Sequence, residues 1–345
     1  MKILNVGGQH LVPTLRQLGH EVFGVSSMDA NANLYATHSL FLPQLLARIQ
    51  GFDPDLLLWY DDGNLPQLAG LEDINCLSVF FSIDTFCNPW HVPFAQAFDL
   101  VLVAQKDHLD LFTKAGLHST WFPLFFSGRI EVEDSQDWLE KRRIPASFVG
   151  TLQPRNIPNR LNFLQQTASH FRLHFAQGDF EPVFRQTKIV LNQSAAGELN
   201  YRCFEAMGCG AALLHDSILE GFCDLFRPGT NVLPPYTRMN AVDATAMLNY
   251  WTARPKRLAA IARAGCELIA QAHTAAVRAN QLLGLVAEPM RQLVWQKRLN
   301  DLDRRKLLLS TAYSTLGLEL PPEMQMQKDF FFWMGERLYT GGGSS

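Results

Sequence analysis

Short apolar runs alternate with helical stretches from Met1 to His215, and this alternation is what most narrows the fold. Strands separated by crossover helices pair in parallel and form layered α/β structures. In the first half the pattern predicts strands at 3–6, 21–25, 56–60, 76–81, 100–104 and 120–123. Gly7-Gly8-Gln9-His10 follows the first of them, and a helix with Leu11, Leu15 and Leu18 on one side runs to Gly19. Strand, glycine turn, helix and strand make one Rossmann-like unit, whose helix amides face whatever lies above the sheet. A second series opens at Ser147-Phe148-Val149-Gly150. It continues with a helix at 159–171, a strand at 172–176, a helix at 180–187, a strand at 189–193, a helix at 201–209 and a strand at 211–215. Two such series predict an α/β protein with two Rossmann-like domains facing a cleft, because open sheets bind ligands beyond the carboxyl ends of their strands.

The domain boundaries expected from this pattern are 1–126 for the first domain, 127–145 for a polar connection and 146–284 for the second domain. A helical extension follows at 285–340, then a glycine- and serine-rich flexible tail at 341–345. Hydrophobic residues make up 47% of the chain and charged residues 18%, ample material for two cores. The net charge of −3 supplies no basic field for nucleic acid. No run reaches the roughly 18 apolar residues of a membrane span, and the opening residues read as a strand rather than a signal peptide. The six cysteines show no C-x-x-C pair, which fits free thiols in a reducing cytoplasm. Phe330-Phe331-Phe332-Trp333 reads as a helix face packed on the body, with a partner or peripheral membrane contact as the alternative.

The stretch from Leu191 to Gly210 carries the most chemistry. A strand ends in a loop of small residues, and a helix begins near Asn200 and Tyr201. The amides that open a helix favour an anion such as a diphosphate, by about 0.3–1 kcal/mol or more when partly buried. Arg202, in the first turn, offers a forked contact to phosphate. Glu205 lies one turn further on the same side, where a carboxylate can accept both hydroxyls of a ribose. The alternative is a plain i,i+3 surface pair between the two.

The run Asn200-Tyr201-Arg202-x-Phe204-Glu205-Ala206-Met207-x-Cys209-Gly210, followed by Leu213-Leu214, resembles the signature of CgeB-like (spore-maturation-protein-type) glycosyltransferases. These are relatives of glycosyltransferase family 4 with the GT-B fold. Phe148-Val149-Gly150-Thr151 with Arg160, Phe226-x-Pro228-Gly229, and Gly265 with His273-Thr274 and Arg278 resemble further parts of the pattern, which spans about 147–283. The resemblance implies nucleotide-sugar binding in the second domain and acceptor binding in the first, where Gly7 and Gly8 would line the acceptor side. It implies that Glu205 binds the donor ribose. The family 4 pattern places another Glu eight residues earlier, but Gly197 stands there. Its sugar-reading role passes either to Glu198 or to the amides around Ala196-Gly197.

Arg155 and Arg160 follow the Gly150-Thr151 turn, and either could neutralise the pyrophosphate leaving group. Many GT-B enzymes do this with side chains and helix ends, so the resemblance implies no metal and no cofactor. No H-E-x-x-H spacing occurs either. Asp84, just past a buried strand, could act as general base, with His91 and His10 as further candidates. The structural alternatives are a loop cap for Asp84 and core or surface histidines for the other two. His215 and Asp216, at the strand end after Gly210, are weaker candidates for lining the donor pocket.

The expected function is transfer of a sugar from a nucleotide diphosphate sugar to a surface glycan, a protein or a small molecule. Relatedness to family 4 leans toward retention of configuration. Alternatives are a non-catalytic nucleotide- or sugar-binding protein in cell-envelope or spore-coat assembly, and a nucleotide-sugar epimerase.

Overall fold

A computed structural model describes residues 1–131, 138–152 and 159–340. The chain divides into two compact units. Met1–Pro123 forms one together with the chain from Arg278 on, and Leu124–Val277 forms the other.

The first unit is built on a parallel sheet in the order β3-β2-β1-β5-β7-β8-β9. Its strands are β1 (Lys2–Gly7), β2 (Glu21–Ser26), β3 (Leu34–Tyr35), β5 (Leu56–Tyr60), β7 (Leu77–Ser82), β8 (Leu100–Val103) and β9 (Ser119–Trp121). A two-strand pair, β4 (Leu40–Phe41) with β6 (Leu68–Ala69), lies beside it. β5 and β7 are buried at every residue, as strands covered on both faces must be, and they read LLLWY and LSVFFS. The chain moves outward from β1 in both directions, so β1 is the point where strand order reverses. There Gly7 adopts φ +90°, and a Cβ on it would come within 2.0 Å of the Tyr60 carbonyl oxygen. Gly8 lies equally close to the Tyr60 ring. The glycine pair is thus required by contact with β5, whatever else it faces.

The second unit holds a parallel sheet in the order β11-β10-β12-β13, from β10 (Ile144–Val149), β11 (Leu173–Ala176), β12 (Thr187–Asn192) and β13 (Ala212–His215). Order reverses again at its first strand, β10. The helix at Arg160–Ala168 is shorter than the apolar spacing suggested, and the one at Glu181–Phe184 is a single turn.

Two features differ from the sequence pattern. The polar stretch after Ser127 ends inside the second core, where Trp138 and Leu139 are buried with Phe148, Phe163 and Leu214. Arg142 lies 4.6 Å over the Trp138 ring and donates to the carbonyls of Phe184, Thr187 and Cys209. Gly210 (φ +75°) admits this pair, and Gly208 admits the Phe126 ring. Both glycines serve the start of the unit rather than the next strand alone. The expected tail at 341–345 lies outside the described residues.

The second difference concerns the C-terminal helices. They pack on the first sheet, with Leu309, Tyr313, Leu316, Phe331 and Met334 sharing a core with Leu57, Trp59, Phe80 and Phe94. Arg298 fixes the preceding helix, Trp295–Asn300, to the same unit. It is 1% exposed, pairs with Asp99 at 3.0 Å, and donates to the carbonyls of Glu72, Ile74 and Cys76. Removing one partner of a buried pair strands the other charge and costs about 3–5 kcal/mol. Arg298→Ala should therefore lower unfolding free energy by about that amount. A denaturation midpoint equal to wild type would contradict it.

Candidate functional site

In the second unit the sequence places its chemistry at the carboxyl ends of β10 and β12. The helix at Tyr201–Gly208 starts after the loop that follows β12, so Arg202 in its first turn reaches back over the sheet edge. Its Nε donates to the Val149 carbonyl at 2.9 Å, and its Nη1 donates to Asn192 Oδ1 at 2.7 Å. The guanidinium lies 4.3 Å from the centroid of Phe148, and a Cβ at position 150 would come within 2.2 Å of its Nη2. Gly150 is glycine because Arg202 occupies the space.

Arg160 joins it from the opposite side of the turn. It is buried at 6% exposure, so the surface alternative does not hold. Its Nε donates to Gln193 Oε1 and its Nη1 to the Thr151 carbonyl at 2.8 Å, and it lies 5.6 Å over the same Phe148 ring. Burial, and secondly the charge of Arg202, lower its pKa to about 10. Burial lowers the Arg202 pKa as well. Two desolvated cations at one strand end favour an anion far more than two in water. Arg155 lies outside the described residues.

The carboxylates around them are used differently. Glu198 is 7% exposed, and its two oxygens accept the amides of Ala195 and Ala196 at 2.8 and 2.6 Å. Both routes for the sugar-reading role are thereby altered, since the carboxylate and these amides satisfy each other. Asp216, fully buried, accepts the Ser194 hydroxyl at 2.7 Å and its amide at 3.1 Å, and pairs with Arg238 at 3.8 Å. The loop 194–198 is therefore clamped from both sides. His215 is also buried, with its Nδ1 on the Asp216 carbonyl and its pKa pushed down to about 4 by burial. It reads as a neutral core histidine.

Glu205 is different. Half-buried beside Arg202, its carboxyl makes no hydrogen bond or ion pair among the described residues. Burial pushes its pKa up to about 7 against the pull of Arg202. Asn200 caps the helix in extended geometry, with no side-chain bond to the first-turn amides. Tyr201 lies 6.3 Å from the Phe125 ring. Thus the carboxyl ends of β10 and β12 bring Gly150, Thr151, Arg160 and Arg202 together, with Glu205 next to Arg202. Sequence reasoning missed Asn192, Gln193 and Arg238. The polar pair Asn192-Gln193 closing an apolar strand was the available signal for the first two, while Arg238 carries none.

In the first unit, Asp61 organises the strand ends. Its carboxylate accepts the amides of Gly63, Ile83 and Asp84 at 3.0, 3.0 and 2.8 Å. This holds Asp84, half-buried, at the end of β7, where its own carbonyl accepts Cys87 and Asn88. His91 is a correction to the expectation of a second base. It is 0% exposed, stacked edge-on to Phe80 and Trp90, with Nδ1 bonded to Ser82 Oγ at 2.9 Å. Burial lowers its pKa, and its Nε2 faces Asp61 at 3.7 Å without a hydrogen bond. A general base must reach its substrate's proton, and a sealed imidazole does not. His10 is exposed, with its ring 5.9 Å from Tyr60.

A raised acid pKa makes a stability signature. Glu205 holds its proton to about 7 in the folded chain, against 4.5 as the ordinary value. The folded state thus binds more protons across that window, and its stability falls as pH rises from about 4.5 to about 7. Glu205→Gln should lose this slope, so its melting temperature relative to wild type rises through the window and stays level above it. Parallel melting curves for the two proteins would exclude the assignment.

Residues 136–284 match the family model described as glycosyl transferase-like. No curated protein matches the chain in sequence. Among solved structures, the sucrose-phosphate synthase of Thermosynechococcus elongatus is similar at a TM-score of 0.60 and 13% identity, covering 85% of this chain and 100% of that one. HepE of Anabaena, in complex with UDP-glucose, gives 0.57 at 14% identity, covering 84% of this chain and 100% of that one. A glycosyltransferase of Rickettsia africae gives 0.57 at 9% identity, covering 85% and 98%. The chain therefore has the α/β architecture of GT-B glycosyltransferases, with two Rossmann-like units, and its residues 136–284 are similar to the glycosyl transferase-like family.

Proposed function

We propose that this chain transfers a sugar from a nucleoside diphosphate sugar to an acceptor. The observation that carries the reading is the grouping of Arg160 and Arg202 at the strand-order reversal of the second sheet, with a carboxyl not engaged by the fold, Glu205, beside them. In this reading the pyrophosphate lies on the two guanidiniums and the first-turn amides of the helix at Tyr201–Gly208. Glu205 accepts the ribose hydroxyls. When the glycosidic bond breaks, negative charge grows on the leaving diphosphate, and buried cations already in place stabilise it without reorganising. The arginines take the part a metal would otherwise play, so transfer is metal-independent. Asp84 on the first unit positions the acceptor hydroxyl, or takes its proton if configuration is inverted. The resemblance to CgeB-like and family 4 enzymes favours retention. HepE of Anabaena, a similar structure, is seen in complex with UDP and with UDP-glucose, which makes uridine nucleotides the first donors to test.

One observation favours a second reading, a non-catalytic nucleotide- or sugar-binding protein. Gly197 stands where family 4 has a glutamate, and Glu198 is occupied by the loop amides. Turnover decides between the two.

The test is a thermal-shift screen against nucleoside diphosphates and their sugars, followed by assays for sugar release or transfer with and without a chelator. One nucleotide at about 100 times its Kd should stabilise the fold by about 2.7 kcal/mol. Glu205→Ala and Arg202→Ala each remove a charge-assisted bond, worth about 1.5–3 kcal/mol, and should weaken that nucleotide at least tenfold. Wild-type affinity should fall on acidification through about 7, as the Glu205 carboxylate takes up its proton. No response to any nucleotide would remove the transferase reading, and binding without turnover would select the second.

A further inference from the structure

The first unit carries an open groove of about 500 Å3. Tyr35 and Trp333 line it and are each 50% exposed. Thr37, His38, Gln44 and Arg48 add exposed polar groups, and among the described residues no acidic side chain lines it. The Trp333 ring is braced edge-on by Phe41 at 6.4 Å and at a tilt by Phe330 at 6.1 Å. Phe41 is itself held, by the Arg337 guanidinium 4.7 Å above its ring and by Gly70, where a Cβ would come within 2.3 Å. The Trp333 ring is thus held before anything binds, which lowers the ordering cost of association.

We propose that this groove binds a segment of a saccharide chain. A pyranose ring is amphipathic. One face is a patch of C–H groups and its rim is a ring of hydroxyls. Exposed Tyr and Trp rings beside polar side chains match both parts, whereas a lipid-binding groove has no use for the polar set. The volume lies within the range of ligand sites. Arg48 and His38 on the groove favour a chain bearing uronate or another acidic substituent over a neutral one.

The groove also has a place in the reaction. Tyr35 pairs with Ser26 at the carboxyl end of β2, the same sheet edge as the Gly7-Gly8 turn. Its wall is tied to the loop that follows β5. Ser39 donates to the Pro66 carbonyl at 2.6 Å and Leu40 to the Gln67 carbonyl at 2.8 Å, while Gln67 Nε2 donates to the Asp62 carboxylate at 3.3 Å. A chain lying in the groove would extend along the edge where Asp61 and Asp84 stand. Resting on the transferase reading, this makes the acceptor a glycan, held through units distant from the reacting one.

The experiment uses the full chain without nucleotide, on a printed panel of short linear oligosaccharides, neutral and uronate-bearing. Calorimetric titration of the strongest binder follows, beside co-sedimentation with phosphatidylglycerol vesicles. Trp333→Ala and Tyr35→Ala should each lower saccharide affinity about tenfold. Tyr339→Ala, a 72% exposed aromatic outside the groove, should leave it unchanged. Melting temperature and the nucleotide-induced shift should match wild type in all three, and Trp333→Phe replaces the alanine variant if that fails to fold. Saccharide binding that all variants retain, no saccharide binding at all, or vesicle binding through Trp333 in its place would each overturn the proposal. Nucleotide binding without saccharide binding sinks the groove alone. Saccharide binding through the groove without any nucleotide response sinks the transferase reading and leaves the groove standing.

Discussion

The Arg202 guanidinium is the interaction on which the chemistry of the second unit depends. It joins the carboxyl ends of two neighbouring strands, Val149 of β10 and Asn192 of β12, and lies on the ring of Phe148. A buried cation costs desolvation, and neutral acceptors offset only part of it. No carboxylate of this strand-end group takes a hydrogen bond from Arg202. Glu198 is spent on loop amides and Asp216 on Ser194 and Arg238. The strand ends therefore hold two buried guanidiniums, Arg202 and Arg160, with the charges of Glu198, Asp216 and Glu205 nearby.

The first unit solves the opposite problem. Its strand ends carry acids, and the structure divides them by role. Asp61 is a structural carboxylate, because three backbone amides converge on it and shape the turns after β5 and β7. Asp84 is delivered by that turn to the edge of the sheet. His91 backs the arrangement from within the core, where it holds Ser82. These backbone bonds hold the strand-end turns, and the C-terminal helices complete the core of the same unit.

Strand positions were legible because parallel strands buried on both faces must be apolar runs, and 56–60 and 76–81 could be nothing else. The glycine turns at Gly7 and Gly150 were legible as turns, but the reason for them was not. One yields to the Tyr60 carbonyl and the other to a side chain 52 positions away in sequence. Asn200, Arg202 and Glu205 stood out because a small-residue loop before a helix is a local pattern. Arg160 was ambiguous, since a helix that places one arginine inward looks the same in sequence as one that places it outward.

The sequence by itself determined the alternation of strands and helices, the two glycine turns, and the helix that carries a guanidinium and a carboxyl one turn apart. Period and spacing act over a few residues, and a single chain displays them fully. Only the tertiary structure decided that Glu198 closes on its own loop, that His91 is sealed in the core, and that the last helices return to the first sheet. Each of those outcomes depends on which distant atoms meet, and burial changes what a charge costs without changing any local pattern.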